Sequence, residues 1–344
     1  MLRYSTPLTR WAVHWGVFSL ALFFCSMLAS SGCQPEPQLY SFKSRHMGVD
    51  FRIDLFAAGA KKAHTAAEIA FARIAEIDAA MSDYKVDSEL SQLSMSSGSG
   101  NQIQVSQELW TVLNKAKKIH RLSNGAFDVS FGAHAVLWRR SRFSQTMPPS
   151  RSLARAKEKS GMNHLLFHPG TRSLTLKPKG MRLDLGGIAK GYAADQALAT
   201  LQSQGVNDAL VDGSGDMAMT KHPRSQWKIF ISDKEQQTDQ FIHMQRGAVA
   251  TSGDSYQFIE INNNRYSHII DPRTGIGVTN LCRVTIIAAD AMTADSLASA
   301  VTVMGPNQGL QLIESLPNVE ALIVASGKTY QSTNFPRLTQ THQN

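Results

Sequence analysis

The sequence predicts an α+β fold, with antiparallel sheets covered by a few helices. Predicted strands outnumber predicted helices, and most of them are joined by short turns. Between the central helix and the last long one, the chain reads entirely as short strands and turns. With 344 residues, 42% hydrophobic and 18% charged, the chain can build one large or two ordinary domains around a sizeable core. It contains no internal repeat.

Taken in order, residues 47–56 alternate as a strand does. Residues 63–81 read as a helix, because Ala70, Ile74, Ile77 and Met81 fall on one face. Ser82-Asp83-Tyr84 ends it, and Ser94 to Gly100 has the composition of a flexible insertion. A second helix is expected over 107–122, with Ser106 as N-cap, Glu108 in the first turn and Asn124-Gly125 as the stop. Segment 139–152 is basic and irregular, and is expected to be an exposed loop. Residues 164–168 and 173–177 form a hairpin across Pro169-Gly170. The central helix runs over 188–204, with Ala194, Leu198 and Leu201 on one face and Gly205 as its stop. Strands follow at 209–211, 227–231, 248–251, 256–261, 266–270 and 282–289. A helix over 292–304 stops at Gly305, and segments 307–315 and 319–324 finish the core. The tail after Thr333 is polar and expected to be loose.

Residues 1–32 read as a secretory leader: two arginines and no acid, an apolar run from Trp11 to Leu28, then small residues. Cys33 follows Ser31-Gly32 and resembles a lipoprotein processing site, with 33–40 as a lipidated tether. An uncleaved anchor is the competing reading, since about 18 apolar residues can just span a bilayer. Either reading puts the body, 41–335, outside the cytoplasm beside a membrane, with 336–344 as a polar tail. Net charge is +8, of which Arg3 and Arg10 contribute two, so the body carries +6. That suits an anionic ligand or a membrane surface. No basic run interleaved with aromatics is present, which argues against nucleic acid. Cys282 is the body's only cysteine after Cys33, so no disulfide forms within it.

The stretch from Leu183 to Tyr192 places an acid and two glycines directly before a helix. Gly186 and Gly187 allow a tight turn and close approach of a ligand. The helix start offers free N–H groups and a positive dipole end, suited to a phosphate. Asp184 beside it makes sense if a divalent cation sits between acid and phosphate. On the later helix, Asp295 and Ser299 share one face and could hold a hard cation through oxygen. Read alone, such a pair is more often a solvated face or a back-bonded serine. Further polar clusters lie at Ser82–Tyr84, Gly125–Asp128, Thr251–Asp254 and Tyr266–Gly275.

In combination, the segments LDLGGIAKGYAAD, ATSGD, YSHIIDPRTG and AMTADSLAS resemble the FAD:protein FMN transferase family, the ApbE-type or thiamine-biosynthesis lipoproteins. The likeness runs from about Met47 to Gly305. It implies a two-lobed, T-fold-related catalytic domain. It also implies a Mg2+-dependent reaction in which FAD is split, AMP leaves, and FMN is joined through its phosphate to a Thr or Ser of an acceptor flavoprotein. By the same resemblance, Met47, Tyr84, Ala126, Phe127, Asp128, Asp184, Lys190 and Ile270 contact FAD. Gly187, Asp295 and Ser299 hold the metal, and His268 transfers the proton, with Asp295 also in the catalytic set. The implied partners are flavin-bearing subunits of membrane redox complexes on the periplasmic side. Three positions depart from the pattern: Ser299 replaces Thr, Ser214 replaces the first Gly of Gly-Gly-Asp, and Val49 replaces Thr. An FAD pyrophosphatase using the same residues, and a lipid-anchored FAD-binding protein without turnover, are the alternative readings.

Overall fold

The computed structural model describes residues 36–233, 238–253, 258–279 and 282–340. The leader, Cys33, Asp254 and Tyr256 lie outside the described residues.

The chain opens with a hairpin of β1 (Gln38–His46) and β2 (Val49–Ala57). Six helices follow: α1 (Ala60–Met81), α2 (Glu89–Met95), α3 (Gln107–Leu122), α4 (Gly132–Ser144), α5 (Ser150–Glu158) and α6 (Ala189–Ser203). Then come β3 (Ala209–Asp212), β4 (Asp216–Met219), β5 (Gly247–Gly253) and β6 (Cys282–Ala288). Helices α7 (Ala291–Met304) and α8 (Pro306–Glu314) precede β7 (Glu320–Ala325) and β8 (Lys328–Gln331). These eight strands make one sheet in which each pairs antiparallel with the next. The excursions between them carry smaller antiparallel sheets. One joins Ile103–Gln104, Ser173–Leu176 and Leu165–His168, and another joins Trp227–Asp233, Thr238–Met244 and Thr339–Gln340.

The strand period of two explains the layers. Ala209, Val211, Ala248, Ala250, Ala321 and Ile323 point to one face and join the main core with the buried sides of α1, α6 and α7. Their neighbours Leu210, Val249 and Leu322 point to the other face, where they meet Trp227, Ile229, Ile242 and Phe335. Alanines under the helices let α6 and α7 lie close to the sheet. The two helices are also close to each other, because a Cβ at Gly191 would stand 2.2 Å from the Ala291 carbonyl oxygen.

The α+β expectation holds, and helices α1, α3, α6 and α7 fall within three residues of their expected bounds. Four local expectations do not hold. The start of the first expected strand is a turn, since Met47 and Gly48 both have positive φ (51° and 78°) and close the β1–β2 hairpin. Segment 139–152 is not a loop but the end of α4 and the start of α5. Buried residues in α4 are Gly132, His134, Trp138 and Ser141, and Trp138 alone among these small or polar residues does not make an apolar stripe. Part of the expected insertion is the end of α2, whose start is capped by the Ser88 hydroxyl, which accepts from the Ser91 N–H. Parts of the expected tether and of the expected loose tail are ordered. Residues 38–40 belong to β1, Phe335 is buried, and Thr339 pairs with Phe241.

Candidate active site

A cleft of about 710 Å³ opens beside the helix ends. Its wall includes Met47, Tyr84, Ala126, Phe127, Asp128, Asp184, Gly187, Lys190, His268, Ile270 and Ser299, so separate stretches of the sequence converge on one place.

Two of its loops hold each other. The Asp184 N–H donates to the Val129 carbonyl (2.8 Å), and the Gly132 N–H donates to the Arg182 carbonyl (3.1 Å). The turn before them is pinned to the end of α3. Ser123 Oγ accepts from the Phe127 N–H (3.1 Å), and His120 Nδ1 lies 2.9 Å from the Phe127 carbonyl oxygen. Asp128 is spent locally: its carboxylate accepts from the Ser130 N–H (2.8 Å) and hydroxyl (2.5 Å), and from the Met162 N–H (3.3 Å). Burial pushes its carboxyl up, against those hydrogen bonds. Asp128 therefore shapes the wall, and its side chain is largely committed before any ligand arrives.

Asp184 already has a cation. Its carboxylate accepts from Arg139 Nη2 (2.9 Å) and from the Gly186 N–H (2.8 Å). The same guanidinium binds Asp83 and lies over the Tyr84 ring, 4.1 Å from its centroid. Arg139 thus supplies positive charge next to Asp184, where a divalent cation was expected. Tyr84 is 74% exposed, so one ring face is held by Arg139 and the rest is open to a planar ligand. Arg139 was not expected in the site, because its own helix carries no apolar stripe to orient it.

The helix start is less free than a bare N-terminus. The N–H groups of Ile188 and Ala189 donate to the Leu185 carbonyl (3.0 and 2.9 Å), and that of Gly191 donates to Asp295 Oδ2 (3.1 Å). Asp295 is buried below the cleft floor and does not line the cleft. Lys190 pairs with Asp216, a residue of the DGSGD turn that sequence reasoning left outside the site. Burial works against the Lys190 charge, but the carboxylates of Asp216, Asp295 and Asp212 outweigh it and hold the ammonium above its ordinary pKa. Burial, followed by the nearby Asp295 charge, pushes Asp216 up to about 7. Asp212 also pairs with Arg52 (3.3 Å), so two cations face three carboxylates and the floor keeps a small excess of negative charge.

That excess, with the donors beside it, fits a hard divalent cation. A Cβ at Gly187 would stand 2.8 Å from Ser299 Oγ, so only a glycine lets the backbone and the hydroxyl lie this close. Ser296 and Thr302 hydroxyls bond back to the carbonyls of Met292 and Ala298, but Ser299 Oγ has no such partner among the described residues. The back-bonded alternative for Ser299 is therefore excluded. Among the described residues no three His, Cys, Asp or Glu side chains cluster at metal spacing. A cation here would take one carboxylate, a hydroxyl and a carbonyl, all oxygen, and would complete its shell from water or a ligand phosphate.

The helix carrying these donors is fixed from two sides. Asp290 caps α7 through the Thr293 N–H (2.7 Å). Asp195 of α6 accepts from the N–H groups of Ala291 (2.8 Å) and Met292 (2.9 Å). On the opposite wall, Asp271 pairs with Arg273, whose guanidinium also donates to the Val303 carbonyl (3.3 Å). Those bonds set the segment of His268 and Ile270 against α7. Ser214 takes φ 62° in the turn before Asp216 and is exposed, so its side chain does not narrow the cleft.

The fold matches solved structures of ApbE proteins. The ApbE protein of Thermotoga maritima superposes with TM-score 0.78 at 28% identity, covering 86% of this chain and 97% of that one. The flavin transferase ApbE of Vibrio cholerae superposes with TM-score 0.77 at 28% identity, covering 87% and 98%. The chain belongs to the ApbE family, which it matches over residues 47–323. A relative from Vibrio cholerae, an FAD:protein FMN transferase, is 30% identical over 322 residues, 90% of this chain and 96% of its own length.

Proposed function

We propose that this protein transfers the FMN half of FAD to a Ser or Thr hydroxyl of an acceptor protein. The observation that carries the reading is the cleft itself, where an open aromatic face, a phosphate-sized turn and an acidic floor lie side by side in an ApbE-family chain. The Tyr84 ring offers its face to the isoalloxazine, with Met47, Phe127 and Ile270 closing around it. The Gly186-Gly187 turn and Lys190 face the pyrophosphate. Gly187, Asp295 and Ser299 would hold Mg2+. Bound there, it would neutralise phosphate charge and orient the pyrophosphate for in-line attack.

In the reaction, the acceptor hydroxyl oxygen forms a bond to the FMN-side phosphorus. The bond from that phosphorus to the bridging oxygen breaks, and AMP leaves with that oxygen. The hydroxyl proton passes to His268, an imidazole being the side chain best suited to act as a base at neutral pH. Arg139 keeps the Tyr84 and Asp184 walls in register during this exchange. The leader and Cys33 fit an exported protein anchored by lipid to a bacterial membrane and facing the periplasm, where acceptor subunits of membrane redox complexes are exposed. Among the described residues, no helix is long and apolar enough to cross a membrane.

The test uses residues 34–344 with FAD, Mg2+ and a flavin-carrier domain bearing a Ser/Thr acceptor segment. The expected result is a carrier heavier by one FMN residue, equimolar AMP, and loss of both on chelation. AMP and free FMN with an unmodified carrier would overturn the transferase in favour of a pyrophosphatase. Bound FAD with neither product would point to binding without turnover.

A further inference from the structure

The charge of the body is concentrated in one place. From Arg139 to Lys159 the chain carries seven basic residues and one acid, Glu158, a net of +6. This equals the whole excess of the body, so everything else outside the leader sums to zero. The segment is the α4–α5 pair, and α4 forms part of the cleft wall through Trp138, Arg139 and Arg142.

Two of the seven are engaged: Arg139 binds Asp83 and Asp184, and Lys157 Nζ donates to the Arg273 carbonyl (3.3 Å). Arg140, Arg142, Arg151 and Arg155 are exposed, and their guanidinium groups have no ionic or hydrogen-bonding partner among the described residues. Phe143 stands among them, 91% exposed, at the end of α4. Solubility alone needs charge but not its concentration at the rim of a cleft. Four unpaired guanidinium groups and an exposed aromatic on two contacting helices have the composition of an interface centre. A bilayer lying on this face would extend across the cleft mouth. An acidic protein docked there would instead bring its own segment to the reacting phosphate.

We propose that the α4–α5 face is the docking surface for the acceptor protein, recognising an acidic surface with an apolar cup for Phe143. This rests on the transferase reading and adds how the macromolecular substrate is chosen. Electrostatic steering of this kind speeds encounter and is weakened by salt, because exposed charges are screened beyond about 8 Å at physiological ionic strength.

The test is the triple variant Arg140→Glu, Arg151→Glu, Arg155→Glu, none of whose positions lines the cleft. Wild type and variant are compared for FAD binding by fluorescence quenching and for transfer to an acidic carrier domain. Transfer to a short uncharged peptide bearing the acceptor segment, and binding to phosphatidylglycerol vesicles, complete the comparison. The expected result is unchanged FAD binding and unchanged peptide transfer. The KM for the carrier rises about tenfold or more, and the salt dependence of kcat/KM largely disappears. Phe143→Ser should raise the carrier KM without changing the salt dependence. An unchanged carrier KM, with FAD bound normally, overturns the docking surface and leaves the transferase intact. Lost vesicle binding with unchanged carrier transfer also overturns it, assigning the patch to lipid. If the wild type transfers to neither acceptor, the transferase reading fails and the docking surface with it.

Discussion

Ser299 is the residue on which the acidic floor turns. Its hydroxyl is not back-bonded as Ser296 and Thr302 are, and it lies against Gly187, which has to be glycine for the two to approach. Ser299→Thr should keep the oxygen and leave Mg2+ dependence within a small factor of the wild type. Ser299→Ala removes one oxygen ligand and should raise the Mg2+ concentration for half-maximal activity by about tenfold or more, the equivalent of about 1.4 kcal/mol. A titration in which Ala and Ser behave alike would remove Ser299 from the metal set. The neighbouring departure, Ser214, has a different origin. Its φ of 62° explains why glycine suits the position, and a serine is tolerated there because its side chain meets only solvent.

At the scale of the element, α7 is a ruler whose zero is set by α6. Two N–H groups at its start enter the Asp195 carboxylate, and Gly191 lets the helices approach until the Ala291 carbonyl occupies the place of a Cβ. Asp195→Ala would orphan both donors, one of them on fully buried Ala291, at a cost of about 1–3 kcal/mol. The start of α7 would loosen, moving Asp295 and Ser299 together. The expected outcome is a lower melting temperature and a weaker apparent Mg2+ affinity in the same variant, with Asp195→Asn intermediate because it keeps one acceptor oxygen. A melting temperature that falls with no change in Mg2+ dependence would show that α7 holds its position by packing alone. The sequence made α7 legible as a helix, through its apolar content and Gly305, and made Asp295 and Ser299 legible as a pair on one face. It did not make Asp195 legible, because an acid on the solvent side of one helix pattern gives no sign of which helix end it will meet. Arg139 was hidden for a related reason, since α4 buries His134 and Ser141 where a periodic pattern would show leucine.

Across the whole molecule, the alternation of residues such as Ala248, Val249 and Ala250 marks a two-faced strand in the sequence. The order of strands is not marked, because β1, β4 and β8 are short, polar or edge-like and acquire their pairing from neighbours. Long-range packing of this kind also sets a pH dependence that no local pattern announces. His134 is buried between Phe131, which stacks on it at 4.5 Å, and Gly275, where a Cβ would stand 2.9 Å from the imidazole. Burial, aided by the Lys157 charge, lowers its pKa from 6.5 to about 4. A depressed value means that the unfolded chain takes up a proton below pH 6.5 which the folded chain refuses. The stability held by neutral His134 is therefore complete above that pH and is lost as pH falls toward about 4. Between pH 7.5 and 5 the loss amounts to about 2 kcal/mol. His134→Gln cannot titrate, so although it starts less stable at neutral pH, its urea midpoint should fall less on acidification. Parallel slopes for wild type and variant over that range would show that His134 is protonated in the folded protein, and that the Asp271–Gly277 loop is not packed down on the imidazole as the structure has it.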